Sequence, residues 1–525
     1  MPDRCAPFFG GIDGRVRARA IKQWDSPRRV PPSRNRSAPV TQFLNNRGAY
    51  WSVVGLAVVL FAVTNLPWHL DDYDQAKQAF TSLEMMKEGH WIFQHTPNGW
   101  VATKPPLVGW FSAGVYLITR SWEVAWRLPS FLAALGLLGL IVRAAAVYGR
   151  VPALIAMCAF GFNLFTPRLA TLVRTDMPLA LILFLIGWLI WEKIRTRETW
   201  SAKDRLALFL LLSASMLIKG PIVFAFLLPG IFVFQWRARV RGEALTAWCG
   251  WWPWLASLGI FLAWTIRGVF IVPEFFEHVV LREFAGRFNA TMHRSQPVYF
   301  YLPHLLHRFA PWSLLLILLP GLAAREQRLK IRDWLRAMSP ETFWLVAWSL
   351  GGLLVMSFVP SKRIDGVFPV VPPLCLLLAA VIADLQKREI LRAVTARCCA
   401  IAIVIACLFT TPYVGRRIMI GYQQHTDAFA IFGKAVLRET AAHHWRFAVV
   451  GGEDEGMLLY LRQTEFLEPD QAVAAWKSGM LDALVVPDDE LAELLPRLDG
   501  AVPSPLGMSG PAGNYRKRYI LLLRS

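Results

Sequence analysis

The 525-residue chain is poor in charge: Asp, Glu, Lys and Arg make up 18% of it, against about a quarter in soluble domains. That shortage of polar surface argues against an ordinary soluble protein. Cysteine is scarce and badly placed for chemistry. Cys5, Cys158, Cys249, Cys375, Cys398, Cys399 and Cys407 all lie in apolar runs, at their ends or in the N-terminal tail. None has ligand spacing in a polar loop, which speaks against a disulfide framework and a cysteine zinc cluster. Carboxylates are outnumbered, 37 against 56 Lys and Arg, for a formal charge of +19. No internal repeat is visible.

What the chain has instead is hydrophobic length. It is 55% hydrophobic, with 23 Trp and 33 Phe. Runs of roughly 18 or more apolar residues recur, enough to cross about 30 Å of hydrocarbon. Only helices or closed barrels satisfy the backbone there, and these runs are too continuous for barrel strands. The expected fold is an all-α polytopic membrane bundle of about 11–13 spans. The surplus of Lys and Arg sits in the tail and in alternate short loops, the positive-inside pattern of a membrane protein, so nucleic acid is not an expected partner. Residues 1–48 read as a disordered basic cytoplasmic tail, 49–413 as the membrane domain and 414–525 as a small extracytoplasmic α/β domain. In that last part, apolar runs at Phe447–Val450, Ala483–Val486 and Tyr519–Leu523 predict strands that alternate with helical patterns.

The informative stretch is the polar loop after the first span, Asp71–Pro106, with Asp71, Asp72 and Asp74 at its start and Lys104-Pro105-Pro106 at its end. Charge at a lipid boundary must face water or a partner. Alternation of the spans brings other groups to the same side: Arg174 and Asp176; Lys219; Arg282, Glu283, Arg287, His293 and Arg294 in a second long loop; Lys362 and Arg363. Lys77 and Glu84 lie in the first loop itself. Carboxylates suit a general base, and clustered cations suit a phosphate. At the membrane edge that phosphate would belong to a lipid. Sugar transfer from a polyprenyl phosphate combines these demands, because the leaving group is already an anion. Each residue also has a plainer reading: Asp74 and Asp176 as helix N-caps, Lys104 as an interfacial anchor, His293 as a loop histidine, Tyr299–Tyr301 as part of an aromatic belt.

The motifs Asp74-Gln75-Ala76-Lys77, Leu83-Glu84-Met85, Gly89-His90-Trp91, Lys104-Pro105-Pro106, Arg127-Leu128-Pro129-Ser130, Arg174-Thr175-Asp176-Met177-Pro178, Lys219-Gly220-Pro221, Arg287-Phe288, His293-Arg294, Tyr299–Pro303, Pro311-Trp312 and Ser361-Lys362 occur in order over residues 50–385. In them the chain resembles the polyprenyl-phosphate-dependent GT-C glycosyltransferases, nearest in type to the lipid A aminoarabinose transferases and protein mannosyltransferase-like bacterial enzymes. The resemblance implies catalytic roles for Asp74 and Asp176. It implies phosphate or substrate contacts for Lys77 and Lys104, to which the outer-face charges Lys219, Arg294, Lys362, Asp72, Glu84 and Arg174 are added. It further implies a polyprenyl-phosphate sugar donor, a lipid, glycan or protein acceptor, inversion at the sugar carbon, and a place in the bacterial inner membrane. Two departures stand out. Gln75 replaces a usual glutamate, and Thr103 replaces an acid that helps bind a metal before Lys-Pro, which leaves a divalent cation doubtful and His293 its remaining candidate. The rival functions are a transporter or flippase of lipid-linked sugars, disfavoured by the missing repeat, and a glycan ligase or polymerase.

Overall fold

A computed structural model of the chain describes residues 47–70, 72–287, 295–326, 333, 336–451, 454–511 and 516–525. Asp71, His293, Arg294 and the tail through residue 46 lie outside the described residues, as does Phe288 of the Arg287-Phe288 motif.

The bundle opens with α1 (Arg47–Val63) and the amphipathic α2 (Tyr73–Glu88), followed by a hairpin and α3 (Leu107–Thr119). Then come α4 (Trp122–Ala145), α5 (Arg150–Gly161), α6 (Asp176–Thr196), α7 (Ala202–Lys219), α8 (Ile222–Arg241) and α9 (Trp252–Ile271). A bent pair, α10 (Tyr301–Arg308) and α11 (Trp312–Glu326), leads to α12 (Pro340–Phe358), α13 (Val371–Gln386) and the long α14 (Glu389–Gln423). Among the described residues, seven helical segments are long and apolar enough to cross a membrane by length and composition, eight if the bent pair counts as one. The expected number was about 11–13. The difference is physical: Tyr50–Val63, Leu107–Thr119 and Arg150–Gly161 are apolar but short, and α7 carries Lys203, Asp204, Arg205 and Lys219 at its ends. The apolar run from Leu305 to Leu322 turns by 94° between Arg308 and Trp312, where Pro311 lacks the amide hydrogen that a continuous helix needs.

α13 is the axis of the bundle, with nearly every residue from Val371 to Leu385 buried. Around it pack α5, α12, α11 and α14. α8 and α12 pack closely against each other. A Cβ on Gly230 would lie 2.8 Å from the Trp348 Cα, and one on Gly351 only 2.9 Å from the Gly230 nitrogen. Small residues at such crossings let backbones approach and gain dispersion contact, the main source of helix association in lipid.

After α14 come α15 (Ala428–Ala442), β1 (Phe447–Val449), α16 (Glu455–Leu461), α17 (Pro469–Lys477), β2 (Ala483–Pro487), α18 (Asp488–Leu494), β3 (Ala501–Met508) and β4 (Tyr519–Arg524). The sheet order is β1-β2-β4-β3, with β1 parallel to β2 and the other pairs antiparallel. One face of this lobe does not stand apart from the bundle. Phe429, Val436, Leu458 and Leu461 share a core with Ala76, Phe80 and Leu83 of α2 and with Trp122 and Trp126 of α4. The Tyr460 hydroxyl also accepts from the Leu70 amide at 2.8 Å.

The α8–α12 crossing yields a prediction. Gly230→Ala should lower the thermal midpoint in detergent, at about 1–3 kcal/mol for overpacking. Gly259→Ala, with open space around its Cα, should leave the midpoint unchanged by scanning fluorimetry.

Candidate active site

Asp72, not Asp74, caps α2: its side chain accepts from the Asp74 amide at 3.0 Å. This frees the Asp74 carboxylate to turn outward. Arg363 grips it with both Nη atoms, one at 2.8 Å from Oδ1. Arg174 reaches Asp74 Oδ2 at 3.3 Å and Asp72 at 3.0 Å, while its Nη1 donates to Asp365 at 3.0 Å. Arg168 donates to the other Asp365 oxygen at 2.8 Å, and Arg308 stands 3.9 Å away. Burial alone would raise the Asp74 carboxyl. The Arg363 hydrogen bond and the charges of Arg363, Arg174 and Lys104 outweigh it and hold the group well below the usual carboxylate range.

The loop bearing Arg174 is fixed from behind. Ser130 donates to the carbonyls of Leu172 at 2.7 Å and Arg174 at 3.3 Å, and the buried Gln75 accepts from the Val173 amide at 3.1 Å. Gln75 thus has a use that its neutral amide serves: it ties α2 to the arginine loop. Asp176 opens α6 and accepts from Lys219, the last residue of α7, at 2.6 Å. Both side chains are mostly buried.

Lys104 enters from a hairpin. Ala102 donates to Gln94 at 2.8 Å and Thr96 to Trp100 at 2.6 Å, around a turn with Asn98 and Gly99 at positive φ, the Asn-Gly pair such turns favour. Pro105 and Pro106 follow, without amide hydrogens to leave unpaired at the start of α3. The Lys104 ammonium has no ion-pair or hydrogen-bond partner among the described residues. Burial and neighbouring Lys219 push it down to about 8, against the opposing pull of Glu283, Asp74 and Asp176.

The remaining expected residues lie elsewhere. Lys77 sits 5.7 Å from the Tyr73 ring centroid and near Glu455, whose carboxyl burial pushes up to about 7. Buried Lys362 donates to the Gln296 carbonyl at 2.8 Å and so pins the second long loop to the last turn. Glu84 is buried on α2 against His90 and His95, not among the arginines. Two participants escaped the sequence reading. Asp365 begins an apolar run, and an ionisable residue there was the available signal. His95 has no flag beyond being a histidine in a polar loop.

The helical bundle, with carboxylates and cations gathered at the ends of its helices, is similar in fold and in sequence to known glycosyl-transferring proteins. No family model matches the chain. It is 26% identical over 445 residues to the undecaprenyl phosphate-alpha-4-amino-4-deoxy-L-arabinose arabinosyl transferase of Yersinia enterocolitica, covering 76% of this chain and 73% of the relative. Its fold matches that of ArnT from Cupriavidus metallidurans bound to undecaprenyl phosphate, with a TM-score of 0.65 and 18% identity over 90% of this chain and 98% of that one. The Archaeoglobus fulgidus oligosaccharyltransferase is a more distant match, with a TM-score of 0.50 and 14% identity over 89% and 74% of the two chains.

Asp365 is the buried counter-charge of Arg168 and Arg174. Its neutralisation in Asp365→Asn should cost about 3–5 kcal/mol, as for a broken buried pair. Asp72→Asn removes a carboxylate more than a third exposed, where water screens the pairing, and should cost under about 1 kcal/mol. Thermal midpoints of the two variants in one detergent check the order.

Proposed function

We propose that the chain is an integral-membrane glycosyltransferase that moves one sugar from a polyprenyl-phosphate donor to an acceptor at the extracytoplasmic face of the bacterial inner membrane. In this reading residues 1–48 lie in the cytoplasm, 49–413 form the catalytic membrane domain, and 414–525 cover the site from outside. The observation that carries the proposal is Lys104, a half-buried ammonium with no partner among the described residues, in the field of Asp74, Asp176 and Lys219. A cation partly withdrawn from water and left unpaired is unfavourable, and an anionic ligand offsets that. The similarity to an arabinosyl transferase that uses undecaprenyl phosphate supports the same donor class.

The reaction breaks the bond between sugar C1 and the phosphate oxygen and forms one from C1 to the acceptor oxygen. Polyprenyl phosphate leaves as an anion, so no general acid is needed. Lys104 receives the phosphate, with Lys219 and Arg174 adding positive potential. Asp176, fixed by Lys219, orients the sugar. Inversion at C1 follows from displacement on the opposite face.

The setting of Asp74 favours one class of acceptor. A carboxylate held so far below its ordinary range is a weak base, ill suited to deprotonating a sugar hydroxyl. It is suited to orienting an acceptor that is already ionised, and a lipid phosphate of the lipid A kind meets that condition. The residues of the described site include no metal ligand set beside Lys104, where Thr103 replaces the acid, and no step is assigned to a metal.

Lys104→Ala should lower transfer by about 100- to 1000-fold, as for loss of one charge-stabilising donor. Asp74→Asn should lower it about 100-fold by misorientation. Both are read by mass spectrometry of glycolipids from membranes supplied with donor, and full activity in either variant removes its assigned role. Translocation of donor without any glycosylated product would instead identify a flippase. The pH response has a definite sign. The free Lys104 ammonium loses its proton as pH rises through about 8, so undecaprenyl phosphate affinity should fall above that pH, by up to about tenfold per unit. Lys104→Arg, which stays charged, should abolish the decline.

A further inference from the structure

Away from the arginine cluster, Glu84, His90 and His95 form the one group of three or more His, Cys, Asp or Glu among the described residues whose ligand atoms all lie within 4.8 Å of one another. Glu84 is 3% exposed, unlike the solvated acids that gather on surfaces. Both imidazoles aim Nδ1 at the same oxygen: His90 contacts Oε1 directly, and His95 Nδ1 lies 3.4 Å from it. The second carboxylate oxygen faces the His95 amide at 3.4 Å, which fixes the orientation of the group. One oxygen cannot serve both rings well. His95 Nδ1 is buried and makes no hydrogen bond, and leaving such an atom unsatisfied costs about 1–3 kcal/mol.

We propose that Glu84, His90 and His95 bind a zinc-type divalent cation that clamps the Asp74-bearing helix to the hairpin leading to Lys104. Two neutral imidazoles and a carboxylate are the donor set that suits Zn²⁺, with a fourth position left open. The ion takes the His95 lone pair that has no partner and offsets the buried carboxylate charge. Its place in the chain gives the role. Glu84 is on α2, the helix that begins beside Asp74, and His95 pairs with Val101 across the hairpin. His90 lies in the turn between them. Three ligands therefore span the junction that sets the separation of the acid and the lysine. The half-exposed His90 also lines an open cleft of about 440 Å³ with Trp91, Ile92, Ile271 and Val272, through which the ion can enter. This site is distinct from a metal held by an acid before Lys-Pro, since that position is Thr103.

The test uses the full-length chain in detergent, stripped with chelator and titrated with Zn²⁺, then with Co²⁺ as a spectroscopic probe. The wild type should bind one ion per chain, give the visible absorption of low-coordinate Co²⁺, rise in thermal midpoint with Zn²⁺ and gain hydrogen-exchange protection across residues 89–102. Glu84→Gln and His95→Asn, each checked for a monodisperse elution profile, should lose at least tenfold in affinity. His443→Asn with His444→Asn, and separately His293→Asn, should bind as the wild type does. No binding by the folded wild type overturns the proposal. So does binding that survives Glu84→Gln and His95→Asn, or that is lost with His293 or the His443-His444 pair instead. Binding without protection of residues 89–102 overturns the clamp. None of these readouts depends on sugar transfer, so the site and the enzymatic reading fail separately.

Discussion

Arg174 is the interaction on which the site depends. One guanidinium contacts Asp72, Asp74 and Asp365, which come from the first loop and from a turn nearly three hundred residues later. Charges at the margin of a lipid bilayer persist where each is answered by another. Here the answering groups interlock: Asp365 also holds Arg168, and Asp74 also holds Arg363. The planar fork of arginine makes such multiple pairing possible where a lysine, a single point charge, would satisfy one partner at a time.

Within this network Lys104 and Asp74 have opposite characters. Asp74 is contacted by two arginines, which hold its carboxyl well below the usual carboxylate range. Lys104 has no ion-pair or hydrogen-bond partner among the described residues, and its ammonium lies below the usual lysine range. How far each group departs from its ordinary titration follows from burial and from which neighbours the fold supplies.

Much of the membrane architecture was legible because apolar length is a direct consequence of bilayer thickness. The helix Leu107–Thr119 has the bounds that its sequence suggests, and α6, α8 and α9 begin or end within a few residues of theirs. Three things were hidden, each for a reason. Asp365 pairs with Arg168, Arg174 and Arg308, none adjacent in sequence, so its one local mark is an acid at the head of an apolar run. Strand β3, Ala501–Met508, contains Pro503 and Pro505 and reads as a loop; its edge position in the sheet makes the prolines tolerable. The exchange of caps between Asp72 and Asp74 turns on a difference of two residues in where the helix starts, finer than any periodicity resolves. The motifs brought Arg174, Asp176, Lys219 and Lys104 into one neighbourhood, but they gave no sign that Lys77 and Lys362 would be occupied elsewhere.

The lobe after α14 has a mechanical consequence. Its α15 and α16 share apolar side chains with α2, and Asn98 at the tip of the Lys104 hairpin exchanges hydrogen bonds with the backbone of Phe466. The two segments that deliver the acid and the lysine are therefore both fastened to the same C-terminal body. A tilt of that body would carry both together, preserving their spacing while changing their distance from Asp176 and Lys219. The lobe is thus a handle on the acid and the lysine together.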